Sequence, residues 1–317
     1  MKAMVITGFG GPEVFAEREF PKPEPGMNEL LVKIYAAAIN PVDYKVRKNG
    51  SWAGINPPAI IGWDAAGVVE KTGSGVKDFK PGDEVFYSPT IFGGHGTYSE
   101  YAVVNENIAA IKPKNISFIE AAAFPLAGCT AADAIVFFAK VRPGETVLVH
   151  AGASGTGSIG VQLAKISGAR VITTCSEKNI DLVRSLGADI VIEYRKEDFV
   201  KGVLRETNEK LVDVVFDTVG NDTIPKSIEI TKPYGRIASI VNINGNINSA
   251  HIKNITLFLL FMERAKHKME FLRTVIEQGK LRPVIDSVFK LNQVAEAHKK
   301  LEAGSVSGKI VLSVSEG

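Results

Sequence analysis

Thr146-Val-Leu-Val-His150 runs straight into Ala151-Gly-Ala-Ser-Gly-Thr-Gly157, and Arg170-Val-Ile-Thr-Thr174 follows after a helical stretch. The first piece is a β-branched run of the kind that forms a buried parallel strand, and the second is a loop of small residues. Apolar residues at Ile159, Leu163 and Ile166 then recur at helical spacing until Gly168 stops them. Strand, glycine loop, helix and strand in that order bring backbone N–H groups to a pyrophosphate at a helix N-terminus. Gly155, Gly157 and Gly160 fit the pattern G-x-G-x-x-G. The expected cradle is Gly152, Ala153, Ser154, Gly155, Thr156 and Gly157. Gly152 allows a second register on the phosphates.

The end of the second strand decides which dinucleotide is expected. A site for NAD carries Asp or Glu there, to bind the ribose 2′-hydroxyl. This chain has Thr174-Cys-Ser-Glu-Lys-Asn179. Ser176 and Lys178 suit a 2′-phosphate, so the expected cofactor is NADPH. Glu177 is the acid nearest to a ribose.

Composition narrows the class. At 317 residues the chain is long enough for two domains, and 45% hydrophobic with 23% charged residues is ordinary for a globular protein. A net charge of +2, with basic residues scattered, gives no reason to expect nucleic acid or a membrane surface as partner. The apolar run Leu257-Phe-Leu-Leu-Phe-Met262 is far too short to span a bilayer. Only Cys129 and Cys175 occur, which excludes a disulfide framework and a four-thiolate zinc site. A cytoplasmic location is expected.

The chain before Ser117 reads as short strands separated by Gly, Pro and Asn clusters. The clearest are residues 30–35, 66–70, 83–87 and 98–104, an antiparallel, barrel-like β domain. Residues 119–123 and 130–138 read as helical. Strands at 190–192, 212–216 and 236–241 then alternate with helices, which demands a parallel sheet covered on both faces. A long helical stretch is expected over 252–278, followed by a strand at 284–289, a helix and a last strand at 309–313. Those late strands need partners in the first domain's sheet. The expectation is an α/β chain with its cofactor domain (123–265) inserted into a discontinuous β domain (1–122 and 266–317). A crevice between the two is the expected substrate site.

Many pieces in order carry a family resemblance. They include Ala38-Ile-Asn-Pro-Val-Asp43, Gly62-Trp-Asp-Ala-Ala-Gly-Val-Val69, Lys80-Pro-Gly-Asp-Glu-Val85, Gly96-Thr-Tyr-Ser-Glu-Tyr101, Leu126-Ala-Gly-Cys-Thr-Ala131 and Gly308-Lys-Ile-Val-Leu312. The chain resembles the medium-chain dehydrogenase/reductases, and within them the zinc-independent quinone oxidoreductase branch. The resemblance implies a Rossmann doubly wound parallel sheet inserted into a discontinuous GroES-like β-barrel domain. It also implies hydride transfer from NADPH to a quinone or an activated carbon–carbon double bond, and a homodimer. Zinc alcohol dehydrogenases of the superfamily place a metal-binding Cys near the position of Asn40 and a His-Glu pair after a Gly. Here Gly62 is followed by Trp63-Asp64, so no metal site is expected.

By the same resemblance, Thr130, Ile240 and Val241 line the nicotinamide, and Tyr194 stands near the 2′-phosphate. Lys309 approaches the cofactor from the returning C-terminal segment. The catalytic candidates are Asn40, Tyr44 and Lys45, with Lys45 as hydrogen-bond donor to the oxygen that gains charge and Asp43 orienting the loop. Two other readings stay open: a non-catalytic NADPH-binding member of the family, and an alcohol dehydrogenase acting without metal. The homodimer is expected to form through an exposed edge strand near residues 236–241 or just beyond.

Overall fold

The computed structural model describes residues 1–93 and 95–315. The chain divides into two compact units, one of Met1–Cys129, Glu263–Gly279 and Pro283–Gly317, the other of Thr130–Met262 and Lys280–Arg282.

The first unit opens with β1 (Lys2–Ile6), β2 (Phe15–Glu19), β3 (Glu29–Ile39), β4 (Ala59–Ile60), β5 (Ala65–Thr72), β6 (Glu84–Tyr87), β7 (Tyr101–Asn105) and β8 (Ala109–Ile111). The second unit contributes β9 (Thr146–Val149), β10 (Arg170–Cys175), β11 (Ile190–Glu193), β12 (Val212–Asp217), β13 (Thr231–Ser239) and β14 (Thr256–Leu259). The chain then returns to the first unit with β15 (Ile285–Lys290) and β16 (Lys309–Ser313).

In the first unit β2-β1-β4 form one sheet and β15-β16-β3-β5-β6-β8 another, with β7 also paired to β3. The long β3 organises this unit, because its apolar Leu30, Val32 and Ile34 are buried with Val69, Val85 and Tyr87. A second core joins Ile6, Ile39, Val46, Trp63, Tyr98, Val294 and Ile310. The C-terminal strand β16 pairs antiparallel with β3, Ile310 opposite Ile39. That register brings Lys309 beside Asn40, the residue that follows β3.

In the second unit the order is β11-β10-β9-β12-β13-β14, and every pair is parallel. This is the doubly wound Rossmann arrangement, its strand order reversing between β9 and β12, where ligands bind in such sheets. Continuous burial of Val147, Leu148 and Val149 in β9 and of Val214, Val215 and Phe216 in β12 explains why those runs do not alternate.

One expectation is corrected and two are made finer. The long helix over 252–278 is absent; a short helix Ser249–Ile252, strand β14 and the helix Lys266–Glu277 take its place. Asn254 adopts a left-handed backbone at φ 52°, which ends the helix, and the next residues pair with β13, Ile237 opposite Leu257. The sheet edge is therefore β14, and β13, ending at Ser239, lies inside it. The helical stretch over 130–138 is α-helical through Ala132 and a π-helix from Asp133 to Phe138.

Candidate active site

In the second unit β9 ends in the glycine loop, and the helix Gly155–Ile166 begins there. Ser154 caps that helix, its hydroxyl oxygen accepting the Gly157 N–H at 3.0 Å. The amides of Gly155 and Thr156, in the first turn, have no acceptor among the described residues. Two open N–H groups at a helix N-terminus are what a pyrophosphate needs. Gly157 has no room for a side chain, since a Cβ would lie 2.2 Å from the Ala151 carbonyl oxygen. A Cβ on Gly160 would lie 2.8 Å from the Phe216 ring on β12, so this glycine sets how closely helix and sheet pack. The cradle fits a dinucleotide.

At the end of β10 the Tyr194 amide donates to the Cys175 carbonyl at 3.3 Å, which sets the 194–196 turn beside Ser176. Tyr194 is 53% exposed, with the Arg195 guanidinium 5.7 Å from its ring centre. Glu177 is engaged by Lys196 at 2.5 Å. The acid that threatened an NAD reading therefore has a cation of its own, and Lys178 is exposed beside it.

Past β12, the Asp217 carboxylate accepts the Val219 and Gly220 amides and the Thr223 and Ser239 hydroxyls. The Ile240 amide donates to the Asp217 carbonyl at 3.3 Å. These bonds fix the turn that carries Ile240 and Val241, both half-buried. Thr130 is buried in the helix Pro125–Ala132.

The first unit holds the densest polar cluster. Pro41 opens the helix Pro41–Lys48, and the Asp43 carboxylate accepts the Asn40 N–H at 2.9 Å. Asn40 does not cap this helix with its side chain. Its amide group donates instead to Asp64 Oδ2 at 2.8 Å, and its carbonyl accepts from the Lys309 ammonium. Lys309 also lies 3.0 Å from Asp64 Oδ2, and the Leu126 amide donates to Asp64 Oδ1 at 2.6 Å. All three side chains are buried. Burial pushes the Asp64 carboxyl up, while the Lys309 charge, the Asn40 amide and the Leu126 amide act the other way.

Two segments of this cluster continue outward. Tyr98 donates to Asp43 Oδ2 at 2.5 Å and lies 3.3 Å from His298 Nε2, whose Nδ1 is 3.0 Å from Arg47 Nη1. Arg47 also pairs with Glu302 at 2.5 Å. Burial raises Asp43 to about 7 and lowers His298 to about 3. Tyr44 is half-buried with the Lys48 ammonium 5.2 Å from its ring centre, and Lys45 is exposed.

Family models match in two blocks, an alcohol dehydrogenase GroES-like domain over residues 26–114 and a zinc-binding dehydrogenase over residues 186–312. A chloroplastic NADPH-dependent alkenal/one oxidoreductase of Arabidopsis thaliana is 38% identical, over 98% of this chain and 79% of that protein. The quinone oxidoreductase of Homo sapiens is 32% identical, over 98% of this chain and 97% of that one. The chain belongs to the quinone oxidoreductase family of medium-chain dehydrogenase/reductases. A solved Escherichia coli quinone oxidoreductase in complex with NADPH superposes on this family member with a TM-score of 0.89 at 31% identity, covering 99% of this chain and 100% of that one.

The donor set of this quinone oxidoreductase homologue does not suit the zinc that one family description names. Asn40, Trp63 and Asp64 offer a carboxamide, an indole and a single carboxylate, and the Lys309 ammonium already lies against Asn40 and Asp64. A soft, borderline cation wants thiolate or imidazole. Among the described residues no group of three or more His, Cys, Asp and Glu side chains gathers to hold a metal ion.

The structure thus brings Asn40 and Lys309 into contact, and sets Ser176 and Tyr194 on adjoining turns. It leaves Lys45 in solvent. Sequence reasoning missed Asp64, Tyr98, His298 and Arg195. Asp64 could have been found, as the acid that remains where a metal-binding pair is lost. His298 carried no local signal, because its partner Tyr98 is 200 residues away in the chain.

Proposed function

We propose that this chain is an NADPH-dependent reductase that delivers hydride to a quinone or to the double bond of an α,β-unsaturated carbonyl compound, without a metal. The observation that carries the reading is the pair of open amides at the N-terminus of the helix Gly155–Ile166, next to a β10 end that offers Ser176 and Lys178. Both ends suit phosphates. When bound, NADPH supplies hydride from its nicotinamide ring. Gly152 to Gly157 hold the pyrophosphate, while Ser176, Lys178 and Tyr194 hold the 2′-phosphate. Thr130, Ile240 and Val241 flank the nicotinamide.

Asn40 and Lys309 form the polar floor of the reacting site. Lys45, with Tyr44 beside it, donates to the oxygen that gains charge. Without a Lewis acid to polarise a carbonyl, the acceptor must already be activated by conjugation, which favours quinones and enones over simple ketones. The two cysteines, both buried thiols outside any disulfide, accord with a reducing compartment, the cytoplasm. No helix of the described residues is long and apolar enough to cross a membrane. The free edge of β14, with Leu259 66% exposed, suits pairing with a second copy into a homodimer.

The test is a panel of quinones, enones and simple ketones assayed with NADPH and with NADH. The expected result is turnover of conjugated acceptors with a clear preference for NADPH. Equal use of the two cofactors, or reduction of simple ketones alone, contradicts the proposal.

A further inference from the structure

We propose that Tyr98 and His298 are positioning residues for the reacting site: with Arg47 they form a one-way series of hydrogen-bond donors that keeps the buried Asp43 carboxylate charged, so that it holds Asn40 against Asp64 and Lys309. The inference rests on the reductase reading only in taking Asn40 as part of that site.

The direction of the series follows from chemistry. A guanidinium can only donate, so Arg47 Nη1 requires His298 Nδ1 to be an acceptor. The imidazole proton must then sit on Nε2, facing the Tyr98 oxygen at 3.3 Å. With its oxygen accepting there, Tyr98 turns its own proton to Asp43 Oδ2 at 2.5 Å. Every step points the same way, and all of it ends on one carboxylate. The series does not transport protons, because the guanidinium at its outer end does not release one. It orients.

Asp43 needs such help. It is fully buried, and its Oδ1 has no hydrogen-bond partner among the described residues. Its hydrogen bonds therefore all reach Oδ2, from the Tyr98 hydroxyl and the Asn40 backbone N–H. The charged and titratable groups around it are Lys309 on β16, Asp64 after β4, Tyr98, Arg47 on its own helix, and His298 with Glu302 on the helix Val294–Glu302. Burial raises the Asp43 carboxyl to about 7, against the pull of Tyr98, Asn40 and Lys309. Asn40 is the link to chemistry. Its backbone is held by Asp43, and its side chain bridges Asp64 and Lys309.

The experiment titrates Asp43 directly, by carbon-13 NMR of the full-length protein labelled at the aspartate carboxyls, with the signal assigned by its loss in Asp43→Asn. In Tyr98→Phe the midpoint should rise by about one to two pH units, the worth of a hydrogen bond to a charged group. His298→Phe should raise it less, and His298→Gln, whose amide can accept from Arg47 and donate to Tyr98, should return it towards the parent. The His298 pair decides the matter if Tyr98→Phe does not fold. The acid limb of kcat/KM for an enone should move with the midpoint, while rates at alkaline pH approach the parent's. Midpoints unchanged in Tyr98→Phe and His298→Phe overturn the proposal, as does a loss of rate that is uniform across pH. A parent protein that oxidises NADPH with no acceptor contradicts the reductase reading instead, and the NMR arm still decides the role of Tyr98 and His298.

Discussion

Asn40, Asp64 and Lys309 use most of one another's hydrogen-bonding capacity, and only Lys309 brings positive charge to the trio. Removing that charge strands a buried carboxylate. Lys309→Met should destabilise the protein by about 3–5 kcal/mol, and Asp64→Asn in the same chain should recover most of the loss. Urea denaturation of the single and double variants checks this; a single variant as stable as the parent contradicts it. Lys45 presents the opposite case, a lysine in solvent with no side-chain partner among the described residues. If it is the donor to the developing oxyanion, Lys45→Met should lower kcat with an enone by about 10²-fold, less where water shares the work, and leave NADPH affinity unchanged. An unchanged kcat under rate-limiting hydride transfer would return Lys45 to the solvated surface.

The glycine loop is the proposed cofactor cradle, and the edge strand β14 is the proposed dimer seam. On β14, Thr256 and Leu259 are exposed while Leu257 and Phe258 are half-buried. A twofold pairing of two such edges would set like residues near one another. Thr256→Lys with Leu259→Lys should therefore turn a dimer into a monomer in sedimentation velocity without unfolding it. A dimer that persists contradicts this edge as the interface. The loop was legible in the sequence because strand, glycines and helix are contiguous there. β14 was not, because the run Leu257-Phe-Leu-Leu-Phe-Met262 is apolar at every spacing and fits helix or strand equally. What separates them is Asn254 in a left-handed conformation and a partner strand that local pattern does not reveal. The cluster around Asn40 was half legible for a similar reason. Asn40 and Asp43 sit in one short motif, but Lys309 lies 245 residues from Asp64 in the chain, and only the β3–β16 register joins them.

Acid stability should reflect both units together. His150 and His298 are buried and neutral, lowered from 6.5 to about 4 and about 3. The unfolded chain binds their protons first, so stability is lost as pH falls below 6.5. Asp43 works against this, since its folded value near 7 stands above 3.8 and the native state holds that proton first. Asp43→Asn should therefore make the loss steeper between pH 6.5 and 4, by up to about 1.4 kcal/mol per pH unit. Denaturation midpoints across that range that run parallel to the parent's contradict the assignment. The central proposal is direct hydride transfer from NADPH to a conjugated acceptor with no metal taking part. The measurement that tests it most directly uses chelator-treated enzyme, an enone and NADPH carrying deuterium at both C4 positions, with the product read by mass spectrometry. The expected result is full turnover and one deuterium on the β-carbon of the saturated product. Product without deuterium, or activity that disappears on chelation and returns with zinc, would contradict it.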